Sequence, residues 1–524
     1  MFPSVAYRVL ATGGRNGAMQ QLSGLDQGFL TLETANSPMH IAGLCFYDPA
    51  TASQPFSFDL IRQGIEKRLH LARTFRQRLV EVPLHLDRAY WAEDPEFDLD
   101  YHLRHVAVPS PGDWKSLVTM VSRILSHPLD RTRPLWEFYV IEGLDKVDWL
   151  PPGSFATLVK IHHAAIDGVS SNDILFALTD LTPEGRNIEP PRKRWVPDRI
   201  PSTRQLLLRT ALTNVVAPFK LIEGGARLAS TVIGTVARLP QYREDPPPAP
   251  FQAPKTPLNV PISAQRVWDG AIFSLDTVKR IRKAVPGATV NDVVLTVCAG
   301  ALRRWLEKHQ ALPDKPLVAF APISVRNEAE KGTQGNQVSG MLVSIATDIA
   351  EPLQRLAAVK HNTEKSKGMT HAIGARTLTD YTRFVPSATA ALAARLYTRM
   401  KVADAHNPLF NCVITNVPGP QIPLYTLGSQ LTAQIGYGPI FDGMGLLIAI
   451  FSYNGTLSIG VSSCRRIMPD IGDFVDFLRR SLDELEAAAK AVPLAPEPPP
   501  AAAPKSKAKS RARPGEIPPV ETVA

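Results

Sequence analysis

Two proline-punctuated stretches divide this chain of 524 residues. The first is "PEGRNIEPPRKRWVPDRIPS" at Pro183–Ser202, and the second is "EDPPPAPFQAPKTPLNVP" at Glu244–Pro261. Proline fixes φ and lacks an amide donor, so neither stretch suits the interior of a helix or a central strand. On both sides, β-branched runs such as Pro38–Asp48 alternate with segments of helical period such as Phe58–Ala72. The pattern predicts an α/β protein with mixed sheets in two halves, because the chain is too long for one ordinary core.

The predicted domain organisation follows these boundaries. A tail rich in Ala, Pro and Lys cannot bury enough apolar surface to fold. We therefore expect a disordered N-terminal extension at 1–18, a first domain at 19–182, linkers and an insert at 183–262, a second domain at 263–487, and a disordered tail at 488–524.

The insert contains a cationic and apolar segment at 203–243, in which Glu223 is the one acidic residue. Its basic residues are Arg204, Arg209, Lys220, Arg227, Arg238 and Arg243. Two interpretations stay open: a pair of helices packed on the body of the protein, or a helix in the headgroup plane with arginines on lipid phosphates. The net charge of +9 suits an anionic lipid surface. No zinc knuckle or RNP-type motif supports nucleic-acid binding.

The stretch "LVKIHHAAIDGVSSN" at Leu158–Asn172 places two histidines at the end of a β-branched run. Neighbouring side chains on a strand point to opposite faces, so His162 and His163 are expected to have different roles. Gly168 permits the positive φ of a tight turn after them. A neutral imidazole held there can take a proton from an alcohol that attacks a thioester.

Other chemistry has weaker support from the sequence. A structural histidine pair is one alternative, and a metal site formed by His162, His163 and Asp167 is another. Strand alternation separates the two histidines and no HExxH is present, so we expect no metal. The sequence contains no GxSxG, P-loop or GxGxxG pattern, so a nucleophilic serine, nucleotide hydrolysis and a bound dinucleotide cofactor have no support.

Several motifs together resemble one family. "HHAAIDG" at His162–Gly168 matches the HHxxxDG motif of coenzyme A-dependent acyltransferases and peptide-synthetase condensation domains. Five further stretches resemble the bacterial wax ester synthase/diacylglycerol acyltransferase family: Ser37–Gly43, Arg133–Leu144, Pro257–Arg266, Thr289–Leu306 and Thr415–Pro420. The resemblance implies two chloramphenicol-acetyltransferase-like domains with an active-site tunnel between them. It also implies acyl-CoA as co-substrate, with diacylglycerol or a long-chain fatty alcohol as acceptor.

The resemblance assigns roles to individual residues. His163 is expected to be the general base and His162 to support it, without an acyl-enzyme. Asp167 is expected to be structural beside Gly168, and we predict that it pairs with Arg326 of the second half. Asn291 is a candidate donor to the oxyanion and Asp292 is expected to fix the start of its helix, although a plain helix N-cap is the alternative for both.

The leading functional prediction is a transferase that makes triacylglycerol or wax ester. It is expected to be cytoplasmic, with segment 203–243 attaching it to the inner face of the cell membrane or to lipid droplets. The four cysteines are scattered among apolar neighbours, as is typical of reduced thiols in a reducing compartment. Two alternatives remain: a condensation-type enzyme that uses a carrier-protein thioester, and a non-catalytic protein that binds lipid surfaces.

Overall fold

The computed structural model describes residues 19–166, 178–191, 195–197, 199–214, 245–324, 338–373 and 406–492. Several predictions fall outside these ranges. They concern the extension at 1–18, the turn at Asp167 and Gly168, the pairing with Arg326, most of segment 203–243 and the tail beyond residue 492.

Strands and helices alternate along the described chain, as the sequence predicts. The strands are β1 (Gln20–Gln21), β2 (His40–Asp48), β3 (Gln77–Val80), β4 (Tyr90–Glu93), β5 (Leu103–Ala107), β6 (Trp136–Glu142), β7 (Phe155–His162), β8 (Arg266–Ser274), β9 (Val318–Ser324), β10 (Val338–Ser344), β11 (Cys412–Pro418), β12 (Tyr425–Thr426), β13 (Ser429–Tyr437), β14 (Leu447–Tyr453) and β15 (Thr456–Cys464). The α-helices are α1 (Gly24–Leu32), α2 (Phe58–Arg68), α3 (Leu99–His102), α4 (Trp114–Ser126), α5 (Thr203–Asn214), α6 (Leu275–Ile281), α7 (Val290–Lys308), α8 (Pro352–Ile373) and α9 (Ile471–Lys490).

The first large sheet has the strand order β12-β13-β2-β7-β6-β5. All neighbours in it are antiparallel except β5 and β6, which are parallel. Helix α4 covers one face, because its apolar residues Leu117, Val121 and Leu125 recur every fourth position and all become buried. The N-cap Asp113 accepts a hydrogen bond from the Ser116 amide at 2.8 Å and so begins the helix.

The second large sheet has the order β10-β9-β11-β14-β15-β8 and is also mixed, with parallel pairs at β9/β11 and β11/β14. Helices α7, α8 and α9 pack together beside this sheet. The apolar residues of helix α7 lie all around the helix instead of forming one stripe. This pattern is typical of a buried helix, and α7 is buried along most of its length. A small third sheet, β1-β4-β3, lies in the first half. The mixed α/β fold with two large sheets confirms the predicted fold class.

A strand from the second half of the chain completes the first sheet. Strand β13 lies within residues 263–487, which the sequence assigned to the second domain. It nevertheless pairs antiparallel with β2, from Gln430 opposite Asp48 to Tyr437 opposite Ala42. The same strand faces β15, and a Cβ on Gly460 would lie 2.0 Å from the carbonyl oxygen of Gly436. The glycine therefore permits a close backbone approach between the two sheets. The sheets do not follow the predicted linker boundary, because β12 and β13 return to the first half.

Helix α9 continues to Lys490, slightly beyond the predicted start of the tail at residue 488. None of the helices in the described ranges is long and apolar enough to cross a membrane. Helix α5 is the described part of segment 203–243, and its Leu206 packs beside Val80, Val82, Tyr90 and Ala92.

Candidate active site

The two adjacent histidines occupy the junction between a strand and a turn. His162 is the last residue of β7, and His163 begins the short 3-10 turn His163–Ile166. Two backbone bonds fix this junction: the His162 amide donates to the Leu135 carbonyl at 2.9 Å, and the His163 amide donates to the Met39 carbonyl at 2.8 Å. The histidine backbone is therefore held on both sides by the first sheet and its neighbouring loop.

The His163 ring is held by an aromatic stack. Its centroid lies 3.8 Å from that of Phe29 in α1, with an angle of 19° between the ring planes. Its Nδ1 is buried and has no hydrogen-bond partner among the described residues. Burial, assisted by the nearby His162, lowers the pKa of His163 to about 4. The imidazole is consequently neutral at pH 7, as a proton acceptor must be.

His162 is 1% exposed and contacts a different set of groups. Its Nδ1 accepts a hydrogen bond from the Ala164 amide at 3.1 Å, so the neutral ring carries its proton on Nε2. That nitrogen faces Oε1 of Glu33 at 3.7 Å. The opposite oxygen of Glu33, Oε2, lies 3.1 Å from Nε of Arg131. The two histidines thus have distinct surroundings, as the sequence predicts, although His163 lies in the turn after the strand.

Glu33 is a site residue that the sequence analysis missed. It is the C-cap of α1 and directly precedes the segment that leads to Met39. Burial alone would raise the pKa of Glu33, but His162, Arg131 and the Met39 amide together lower it. The sequence contained one signal, which is the position of Glu33 at the end of the segment that forms α1. The helix dipole disfavours a carboxylate there, so such a residue is expected to have a specific partner.

The motif Ser37–Gly43 contacts the second half of the chain. Ser37 Oγ donates to the Ile440 carbonyl at 2.8 Å, and Arg266 donates to the Asn36 carbonyl. Within the same segment, His40 is fully buried and lies opposite His162 in the β2–β7 register. This motif therefore places the histidine pair beside the junction of the two halves.

Asn291 and Asp292 lie at the start of α7. Thr289 is the N-cap, and Asp292 completes a capping box because its Oδ2 accepts from the Thr289 amide at 2.8 Å. The other oxygen, Oδ1, accepts from Thr363 Oγ1 at 2.6 Å, which ties α7 to α8. Asn291 Oδ1 accepts from Asn416 Nδ2 of β11 at 3.3 Å. Asp292 thus fixes the helix start, whereas Asn291 is not the cap itself.

The structure places the predicted site residues in two groups. His162 and His163 lie at the end of β7, and Asn291 and Asp292 lie at the start of α7. Within the described ranges, no hydrogen bond or ring contact joins His163 to Asn291. Those ranges also contain no group of three or more His, Cys, Asp or Glu placed to hold a metal ion.

One hollow borders Glu33, and a second borders the histidine turn. One, with an empty volume of about 550 Å³, is lined by Glu33 and Arg131 together with Glu81, His85 and other residues. The other, of about 310 Å³, is lined by Ala165 of the turn and by Trp91 and its neighbours. The predicted tunnel between the domains stays a prediction.

Comparison with known proteins decides the family. Residues 22–294 match the wax ester synthase/diacylglycerol acyltransferase catalytic domain, and residues 334–486 match the C-terminal domain of the same enzymes. The chain belongs to this family. The resemblance predicted from the sequence motifs, and with it the assignment to the acyltransferases, is thereby confirmed.

Named relatives match this protein over most of its length. A putative diacylglycerol O-acyltransferase of Mycobacterium tuberculosis is 34% identical over 472 residues, which are 89% of this chain and 90% of that protein. The O-acyltransferase WSD of Acinetobacter baylyi is 32% identical over 478 residues, 89% of this chain and 97% of its own.

Solved structures share the fold. The wax ester synthase/diacylglycerol acyltransferase from Marinobacter aquaeolei has a TM-score of 0.63 at 30% identity, and the match covers 90% of this chain and 100% of that one. A trichothecene 15-O-acetyltransferase from Fusarium sporotrichioides reaches a TM-score of 0.56 at 13% identity, covering 90% and 94% of the respective chains. This second likeness shows the fold alone.

Proposed function

We propose that this protein transfers a long-chain acyl group from acyl-CoA to diacylglycerol, to a long-chain fatty alcohol, or to both. The observation that carries the proposal is His163, a neutral imidazole fixed at the end of β7 in a chain of this family. The relatives are named as acyltransferases of these two kinds, which supports both acceptors.

In the proposed reaction, a ring nitrogen of His163 accepts the proton of the acceptor hydroxyl as its oxygen attacks the thioester carbonyl. The carbon–sulfur bond then breaks, and the proton passes to the departing CoA thiolate. No acyl-enzyme is formed. General-base assistance of this kind is worth about 10²–10⁴-fold in rate.

Other predicted residues complete the proposal. The Asn291 side-chain amide is a candidate donor to the tetrahedral oxyanion, since Asn416 orients it through the Oδ1 contact. Asp167 and Gly168 are proposed to hold the turn after the histidines, with Arg326 as the partner of Asp167. His162 supports His163 through the backbone of the turn.

Attachment to an anionic lipid surface is proposed through α5 and a neighbouring loop. Leu207 and Leu208 of α5 are exposed beside Arg204, while Leu206 is buried. The loop residue Leu84 is 82% exposed and has a φ of 56°, a backbone conformation that leucine rarely adopts. Apolar side chains beside cationic ones suit the cytoplasmic membrane face or a lipid droplet, where the water-insoluble acceptor resides.

The test of catalysis uses purified protein with radiolabelled palmitoyl-CoA, offering dioleoylglycerol and hexadecanol in separate reactions. Ester is expected with at least one acceptor, and His163→Ala is expected to abolish it. His361→Ala is the matched control, because that histidine is exposed on α8 and contacts Asp245 instead of the site. No ester from folded wild-type protein, or full activity in His163→Ala, would contradict the proposal.

The test of attachment is flotation with vesicles containing phosphatidylglycerol. The double substitution Leu207→Glu/Leu208→Glu is expected to reduce the bound fraction severalfold. Ile422→Glu is the control, because Ile422 is similarly exposed at a different place in the fold. Equal binding by the double variant and the wild type would refute the role of α5.

A further inference from the structure

We propose that Glu33 is a positioning residue of the active site, which acts on His163 through His162 and through Met39. This inference rests on the proposed function, because it assumes that His163 is the base. Glu33 makes no contact with His163 itself among the described residues. Its action is therefore on the orientation of the histidine pair and not on the substrate.

Helix α1 brings both contacts to the histidines. Phe29 stacks on the His163 ring at 3.8 Å, and Glu33, one turn later, faces His162 Nε2 at 3.7 Å. The Glu33 amide donates to the Phe29 carbonyl at 3.1 Å, so the two residues are fixed relative to each other. One short helix thus supports the two rings from two positions.

The first route runs through the tautomer of His162. Because Nδ1 accepts from the Ala164 amide, the ring proton is on Nε2, which is buried and has no hydrogen-bond partner within bonding distance. The Glu33 carboxylate is the acceptor that faces it, although 3.7 Å is longer than a hydrogen bond. A negative oxygen there favours the Nε2–H tautomer, and that tautomer keeps Nδ1 available to Ala164. Ala164 directly follows His163 in the turn, so this acceptor fixes the backbone beside the base.

The second route runs through Met39. Oε1 of Glu33 accepts the Met39 amide at 3.3 Å, and the Met39 carbonyl accepts the His163 amide at 2.8 Å. The peptide groups on both sides of Met39 are therefore fixed between the carboxylate and the base. Loss of the carboxylate would remove the contacts with His162 and with the Met39 amide at the same time.

Arg131 keeps the carboxylate charged and in place. Its Nε lies 3.1 Å from Glu33 Oε2, and its Nη2 donates to the Leu30 carbonyl at 3.0 Å. The same guanidinium also reaches the exposed Glu81, at 3.5 Å. Glu81 therefore shares the arginine but makes no described contact with either histidine, which makes Glu81→Gln a matched control.

The experiment compares Glu33→Ala, Glu33→Gln and Glu81→Gln by steady-state kinetics with palmitoyl-CoA and the acceptor that gives ester. Glu33→Ala is expected to lower kcat about 30-fold, which is less than the 10²–10⁴-fold that the general base itself supplies, and to leave the KM for acyl-CoA within twofold. Glu33→Gln keeps an oxygen acceptor for the Met39 amide but loses the negative charge that faces His162, so it is expected to recover only part of the loss. Glu81→Gln is expected to stay within twofold of wild type.

A spectroscopic signal separates positioning from a merely structural role. In protein labelled with ¹⁵N-histidine, the His162 nitrogens, assigned with His162→Gln, should report the Nε2–H tautomer in the wild type and a tautomer mixture in Glu33→Ala. An unchanged kcat in Glu33→Ala would overturn the inference, and a lost kcat with an unchanged tautomer would overturn the route through His162. His163→Ala distinguishes failure of the proposed function from failure of the positioning role. If His163→Ala remains active, the proposed function fails. If it is inactive while Glu33→Ala is fully active, only the positioning role of Glu33 fails.

Discussion

The depressed pKa of His163 has a measurable consequence for both stability and activity. A free histidine titrates near 6.5, whereas burial and the neighbouring His162 lower the pKa of His163 to about 4. Because the folded pKa lies below the unfolded one, the folded state resists protonation. The stabilisation is fully present above pH 6.5 and is lost as the pH falls towards 4, and it amounts to about 3 kcal/mol.

The variant His163→Gln isolates this contribution, because every other titrating group is common to both proteins. Urea unfolding from pH 7 to pH 4 should show the wild type losing about 3 kcal/mol more stability than the variant over that range. In parallel, kcat/KM of the wild type should stay flat down to about pH 5, with its acidic limb near pH 4. An acidic limb near 6.5, or equal losses of stability in the two proteins, would refute the reasoning.

Three further predictions concern other parts of the molecule. Asp180→Asn should lower the free energy of unfolding by about 3–5 kcal/mol, because it leaves the buried Arg68 guanidinium without its carboxylate at 2.5 Å. Asp100→Asn, which breaks an exposed pair with another arginine of α2, should cost far less in the same urea titration. Asn291→Ala should lower kcat about 10²–10³-fold with little change in the KM for acyl-CoA, as measured by initial rates. Gly460→Ala should destabilise by about 1–3 kcal/mol, because its Cβ would lie 2.0 Å from a carbonyl oxygen of β13.

Each of these predictions has a result that contradicts it. Equal destabilisation by the two aspartate substitutions would mean that burial does not decide the strength of the Arg–Asp pairs. A normal kcat in Asn291→Ala would remove that amide from the oxyanion role. An unchanged midpoint in Gly460→Ala would show that the two sheets are able to move apart at little cost.

Much of the fold was predictable because its strands and helices have strong local periodicity. The runs that became β2, β6, β8 and β15 are β-branched or aromatic, and α7 and α9 have long apolar patterns. The pairing of β13 with β2 was not predictable, because strand periodicity does not say which sheet a strand joins. Its partner lies almost 400 positions away in the sequence, and only tertiary packing selects it.

The active site was predictable to the extent that its residues form a contiguous motif. His162 and His163 are adjacent in a recognisable pattern, and strand alternation predicted different surroundings for their rings, although His163 in fact begins the turn after β7. Glu33 was missed because it lies far from that motif along the chain and reaches His162 only after α1 and β7 have packed. Such a partner has no fixed spacing from the histidines, so only an unfavourable local position, here a helix C-terminus, indicates it beforehand.

The pairing of β13 with the first sheet also determines when the sheet that carries the active site can be completed. The strand that carries His162 neighbours β2, and β2 receives its other neighbour only from Ser429–Tyr437. During synthesis, β2 therefore remains an open edge until those residues have left the ribosome, and an open edge is prone to pair with other chains. A fragment ending in the linker would retain both histidines with an incomplete sheet. Co-expression of the missing half as a separate polypeptide should then restore soluble protein by supplying that strand.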